Sequence, residues 1–73
     1  MLTIGAIYTG QALVKPLTDI FNKELPECRL INIVDDQLIA DVIKEGKVTK
    51  NIIRRMFYYY QASVVAGADY ILN

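Results

Sequence analysis

Two kinds of hydrophobic spacing alternate along this chain, and the alternation restricts its fold more than any other feature. Leu2–Tyr8, Leu30–Val34 and Ala68–Leu72 are short, nearly continuous apolar runs of the kind that form strands buried on both faces. Between the first two, Leu13, Val14, Leu17, Ile20 and Phe21 fall on one stripe of a helix that ends near Leu25-Pro26. Pro16 then lies in the first turn, where its missing N–H removes no helical bond. Two further helices separate the second and third runs. Leu38, Ile39, Val42 and Ile43 form the stripe of one, and Gly46 is placed to stop it in the left-handed conformation. Thr49 reads as the N-cap of the other, whose stripe is Ile52, Ile53, Met56, Phe57, Tyr60 and Val64 and whose end is Gly67.

The order strand, helix, strand, two helices, strand predicts an α/β fold: three parallel strands joined by right-handed crossovers, with three helices covering both faces. No internal repeat, linker or low-complexity segment interrupts it. Open parallel sheets place ligand sites just beyond the carboxyl ends of their strands, where helix N-termini also point. Tyr8-Thr9-Gly10, Asp35-Asp36 and the segment following Leu72 occupy those positions.

Composition removes several function classes. The 73 residues include no histidine and one cysteine, Cys28, which excludes an internal disulfide, a Cys-His zinc cluster and any imidazole relay. Eight basic residues balance eight acidic ones, so no net field draws the chain to nucleic acid. The longest uncharged stretches, Met1–Val14 and Met56–Ala68, fall short of the ~20 residues that cross a bilayer. The N-terminus lacks the basic flank and cleavage site of a signal peptide, so the expected compartment is the cytoplasm, with no membrane partner. A chain this short buries only ~60% of its unfolded surface, which makes independent folding marginal.

Five constellations admit a chemical reading. Tyr8-Thr9-Gly10-Gln11 offers backbone N–H groups and a hydroxyl ahead of a helix, which suits a carboxylate or phosphate; an ordinary strand-to-helix turn reads the same way. Asp35-Asp36 could supply oxygen ligands to Mg²⁺, but further ligands are not evident, and capping of the next helix is the better reading. Cys28 lies at the amino end of the second strand, away from the ligand face, and reads as structural. Tyr58-Tyr59-Tyr60 splay around the helix too widely to stack bases together, and Arg54-Arg55 with Lys47 and Lys50 read as a solvated basic face.

Ile31-Asn32-Ile33-Val34-Asp35-Asp36 resembles the acidic pair of response-regulator receiver domains, yet a receiver carries that pair after its first strand, and here a full strand and helix come earlier. A second resemblance covers the whole chain. Ile4–Gly10, Leu13–Leu17, Asn32–Asp36, Val48-Thr49, Arg54-Arg55 and Ala66–Asn73 together resemble the amino-terminal part of the aspartate/glutamate/hydantoin racemase superfamily. The resemblance implies a partial flavodoxin-like lobe spanning residues 1–73, one of two lobes that face each other across a cleft. It implies that Tyr8, Thr9 and Gly10 line the cleft, that Asp35 and Asp36 lie at or near its edge, and that Asn73 ends a catalytic strand. In the family, one cysteine from each lobe exchanges the α-proton of an amino acid or related carboxylate, with no metal, pyridoxal phosphate or other cofactor. The first of those cysteines follows in a short motif of Asn, Thr and Cys that begins at the position of Asn73, so residues 1–73 are expected to be inactive alone. A non-catalytic α/β module that binds a partner or small anion at its strand ends is the alternative.

The family-like strand order puts the first strand in the centre, and Tyr70-Ile71-Leu72 becomes an edge where the following strand is missing. That edge carries no charge, proline or bulge to protect it, so the expectation is a homo-oligomer, with or without exchanged elements, or else a chain that stays soluble only as part of something larger.

Overall fold

The computed structural model describes residues 1–73. In chain order it contains β1 (Thr3–Tyr8), α1 (Val14–Glu24), β2 (Arg29–Val34), α2 (Leu38–Glu45), α3 (Lys50–Val65) and β3 (Tyr70–Leu72). The strands form one parallel sheet in the order β2-β1-β3, with Ala6 level with Asn32 on one side and Leu72 on the other. This is the α/β arrangement of a partial flavodoxin-like lobe, and β1 is central because both of its neighbours return to it through crossovers.

Local chemistry sets the element ends. Thr49 accepts the Ile52 N–H on its hydroxyl (3.3 Å) and so starts α3. Gly46 closes α2 at φ 71°, a conformation that a side chain would strain. Pro16 is the third residue of α1, as its first-turn placement requires. β3 is shorter than its apolar run because Asp69 bends back to β1 instead. Its N–H donates to the Thr3 carbonyl (2.7 Å) while its carboxylate accepts the Thr3 N–H (2.8 Å).

Side-chain alternation assigns the two faces of the sheet. Tyr8 and Asn32 point to the α1 side, where the Tyr8 hydroxyl donates to Asn32 Oδ1 (2.8 Å) and Asn32 Nδ2 donates to Thr18 Oγ1 (3.3 Å). Gly5 points to the α3 side, against Ser63, and α2 packs on α3. Ala6, Ile7, Tyr8, Phe21, Leu38 and Ile52 are the buried apolar residues.

The helix stripes read from the sequence are only half correct. On α3 the inward face is Ile52, Arg55, Met56, Tyr59, Tyr60 and Ser63, while Ile53, Phe57 and Val64 are exposed. On α1, Phe21 is buried and Val14 and Leu17 are half-buried, while Leu13 and Ile20 are exposed. Each helix carries more apolar width than the three-stranded sheet covers. The rotation of α3 is fixed by Ser63, whose small side chain fits over Gly5 where a valine would not.

Candidate functional site

At the carboxyl end of β1 the chain turns through Thr9–Leu13 before α1 begins. The Val14 N–H is occupied by the Gln11 carbonyl (3.2 Å), and Pro16 has no N–H, so α1 itself offers little to an anion. The free donors lie earlier. None of the N–H groups of Thr9, Gly10, Gln11, Ala12 and Leu13 donates to a protein acceptor. Nothing stands within 4 Å of where a Gly10 Cβ would be, so the turn is open on that side.

A cleft of about 530 Å³ opens beside this turn, between the carboxyl ends of β1 and β3 and the outer side of α1. Tyr8, Thr9, Gly10 and Asn73 all line it, so four of the six residues singled out from the sequence converge. Its remaining walls are apolar, Leu13, Pro16, Leu17, Ile20 and Leu72 among them. Tyr8 contributes a ring rather than a free hydroxyl, since its O–H is given to Asn32, and burial raises its pKa. The Asn73 side-chain amide donates to the Tyr60 hydroxyl (2.8 Å), which ties the end of β3 to α3.

Asp35 and Asp36 do not line this cleft. They follow β2, and alternation sends them apart. Asp36 accepts from Gln11 Nε2 (2.7 Å), which joins the β2–α2 turn to the β1–α1 turn. Asp35 turns to the α3 face, where it accepts from Arg55 and from the Tyr59 hydroxyl. It also accepts the Gln37 N–H (3.1 Å) and so orders the turn into α2, whose own N-cap Gln37 makes no side-chain cap bond. The carboxylates therefore diverge onto protein donors, and no three carboxylate or thiol groups gather as a metal site.

Arg55 is not part of a solvated basic face. It spans Asp35 and Asp41, clasping α2 to α3 and to the end of β2. Burial acts to raise the pKa of Asp35, but the hydrogen bonds from Tyr59 and Arg55 outweigh it and leave the group below its ordinary value. Hydrogen bonds from Arg55 and Gln37 lower Asp41 likewise, and the bond to Asp35 raises Tyr59. Tyr59 thus has a specific partner, whereas Tyr58 is exposed. The sequence held one signal for this cluster: Asp35 shares the parity of Ile31 and Ile33, which places all three beneath the same helix.

Cys28 immediately precedes β2, at the end of the sheet opposite the cleft, and is a free, half-buried thiol. No helix is long and apolar enough to cross a membrane. Comparison with models of known protein families, with curated proteins and with solved structures finds no match to this chain.

Proposed function

We propose that the chain is the amino-terminal part of the first lobe of a cofactor-independent racemase of the aspartate/glutamate/hydantoin type, acting in the cytoplasm. In this reading its strand ends hold the carboxylate of a small amino-acid-like substrate. The observation that carries it is the convergence of Tyr8, Thr9, Gly10 and Asn73 on one cleft, beside five successive N–H groups open to an anion. The β2-β1-β3 order supports it as well, being the order that the resemblance implies.

The division of labour follows from the residues present. Proton exchange at an α-carbon needs an acid and a base on opposite faces. Cys28 lies at the far end of the sheet and serves as neither, so residues 1–73 bind and orient while thiols outside them move the proton. Titration of the ¹⁵N-labelled chain with aspartate, glutamate and malonate is the test. The Thr9–Leu13 amides should shift and saturate, with no deuterium entering the α-carbon. Shifts confined to residues remote from Tyr8–Ala12 would refute the binding reading. α-Proton exchange that survives Cys28→Ser but is lost on Thr9→Ala would refute the mechanism.

One observation favours the alternative, a non-catalytic module that binds a partner. The walls of the cleft are largely apolar, more than a small polar acid requires. Under that reading the three acids leave Thr9–Leu13 unmoved.

A further inference from the structure

The Thr9–Leu13 turn is fastened at three points. At its entry the Tyr8 carbonyl accepts the Asp35 N–H (3.0 Å), and at its exit the Leu13 carbonyl accepts the Leu17 N–H (3.0 Å). Gln11, the middle residue, supplies the third point. Its carbonyl accepts the Val14 N–H (3.2 Å), and its side-chain amide donates to Asp36 Oδ2 (2.7 Å). No other side chain of the turn makes a hydrogen bond. A five-residue turn that includes Gly10 has much backbone freedom to lose, and its N–H groups converge on an anion only while that freedom is restrained.

Asp36 has no other partner. A carboxylate just ahead of a helix ordinarily caps it. At α2 that task falls to Asp35, whose carboxylate accepts the Gln37 N–H (3.1 Å) and whose carbonyl accepts the Leu38 N–H (3.2 Å). Nor does Asp36 take part in an ion pair. Lys15, which borders the same shallow hollow, gives its ammonium to Asp19 instead (2.8 Å). The position of Asp36 is set by the residue before it, because Asp35 is bonded to β1 through its N–H and to α3 through Arg55 and Tyr59. The link thus runs from the α2–α3 clasp through Asp35 and Asp36 to the middle of the turn. None of these bonds involves β3.

A carboxylate beside an anion site carries an electrostatic cost, since its charge opposes the bound anion. What it offers in return is an acceptor whose charge strengthens the bond from a neutral amide. We propose that Asp36 is a positioning residue: by holding the Gln11 side chain it keeps the Thr9–Leu13 N–H groups in the arrangement that receives a carboxylate. This role rests on the reading of that turn as the anion site, and Asp36 fills it through Gln11 rather than by touching the substrate. Asparagine at this position keeps an acceptor and removes the charge, whereas alanine removes both. Comparing the two neutral variants therefore isolates the bond from the field.

Two measurements on the ¹⁵N-labelled full chain test it. In the free chain, backbone relaxation should show Thr9–Leu13 ordered in the parent and in Asp36→Asn, and loosened in Asp36→Ala, with order parameters falling from about 0.85 toward about 0.6. On titration with malonate, Asp36→Ala should bind at least about threefold more weakly than Asp36→Asn. Gln11→Ala should loosen the turn of the parent and add nothing in Asp36→Ala, because both changes remove the same bond. Gln11 and Asp36 are exposed, so helical circular dichroism should survive all of these changes. Equal order or equal affinity in Asp36→Asn and Asp36→Ala overturns the proposal, and so does additive loosening by Gln11→Ala and Asp36→Ala. Tighter binding by both neutral variants to the same extent also overturns it, leaving Asp36 as an opposing charge alone. A turn that loosens in Asp36→Ala but takes up malonate in no variant refutes the anion reading and this role with it, and leaves a structural tether. A turn that takes up malonate equally in every variant refutes the positioning role and leaves the anion reading intact.

Discussion

Replacing Gly5 with alanine tests the contact that sets the position of α3. A Cβ built at Gly5 stands 2.9 Å from both Cβ and Oγ of Ser63 and 3.3 Å from the Ala68 Cβ, where unstrained carbon pairs sit at about 3.5–4.0 Å. The helix must lift by roughly half an ångström or more, and overpacking of this kind costs about 1–3 kcal/mol. Alanine regains about 0.5–1 kcal/mol of backbone entropy relative to glycine, so Gly5→Ala should destabilise by about 1–2 kcal/mol net. That is a large fraction of the ~4–11 kcal/mol expected for a chain of this size, and it should lower Tm by about 5–15 °C. Ser63→Gly makes room for the new methyl, so in that background Gly5→Ala should cost at least about 1 kcal/mol less. Ser63→Ala should raise stability by about 1 kcal/mol, because the Ser63 Oγ is buried without a hydrogen-bond partner. Urea and thermal unfolding followed at 222 nm, at one fixed protein concentration, measure all four. Additivity of Gly5→Ala and Ser63→Gly to within about 0.5 kcal/mol would refute the packing argument.

The remaining predictions concern the clasp and the cap. Asp35 and Asp41 titrate below their ordinary value in the folded chain, so their contribution is present above about pH 4 and is lost as pH falls through their folded pKa values. Arg55→Met should therefore be less stable than the parent at neutral pH, and the two stability curves should converge once both carboxylates are protonated; a gap that does not change with pH would count against the clasp. Tyr8 and Tyr59 are raised, so stability should fall as pH climbs above about 10, and Tyr59→Phe should soften that fall while moving the Asp35 titration upward by NMR. Thr49→Ala should cost about 1 kcal/mol through loss of the bond to the Ile52 N–H, with an increase in amide exchange confined to the first turn of α3.

The set of elements, their order and several of their ends were legible in the chain before any packing was known. Continuous apolar runs and helical stripes differ in period, and the period is a local property of the chain. The stops at Gly46 and Thr49 and the placement of Pro16 are equally local, since each depends on a residue's own backbone or hydroxyl. Parallel pairing follows from the helices between the strands. The convergence of Tyr8, Thr9, Gly10 and Asn73 was also legible, because strand ends in a parallel sheet meet at one rim.

Which part of each stripe is buried, and where the acidic pair points, depends on packing between elements. The apolar residues of α3 span too wide an arc to select one rotation. The choice is made by Ser63 over Gly5 and by Arg55 and Tyr59 on Asp35, contacts between residues far apart in the chain. Asp35 and Asp36 are adjacent in sequence, yet they separate because successive side chains at a strand end face opposite ways, one finding Arg55 and the other Gln11. Periodicity describes a single element against an unspecified neighbour. The neighbour's shape and charge, which fix rotation and partner, enter only when the elements pack.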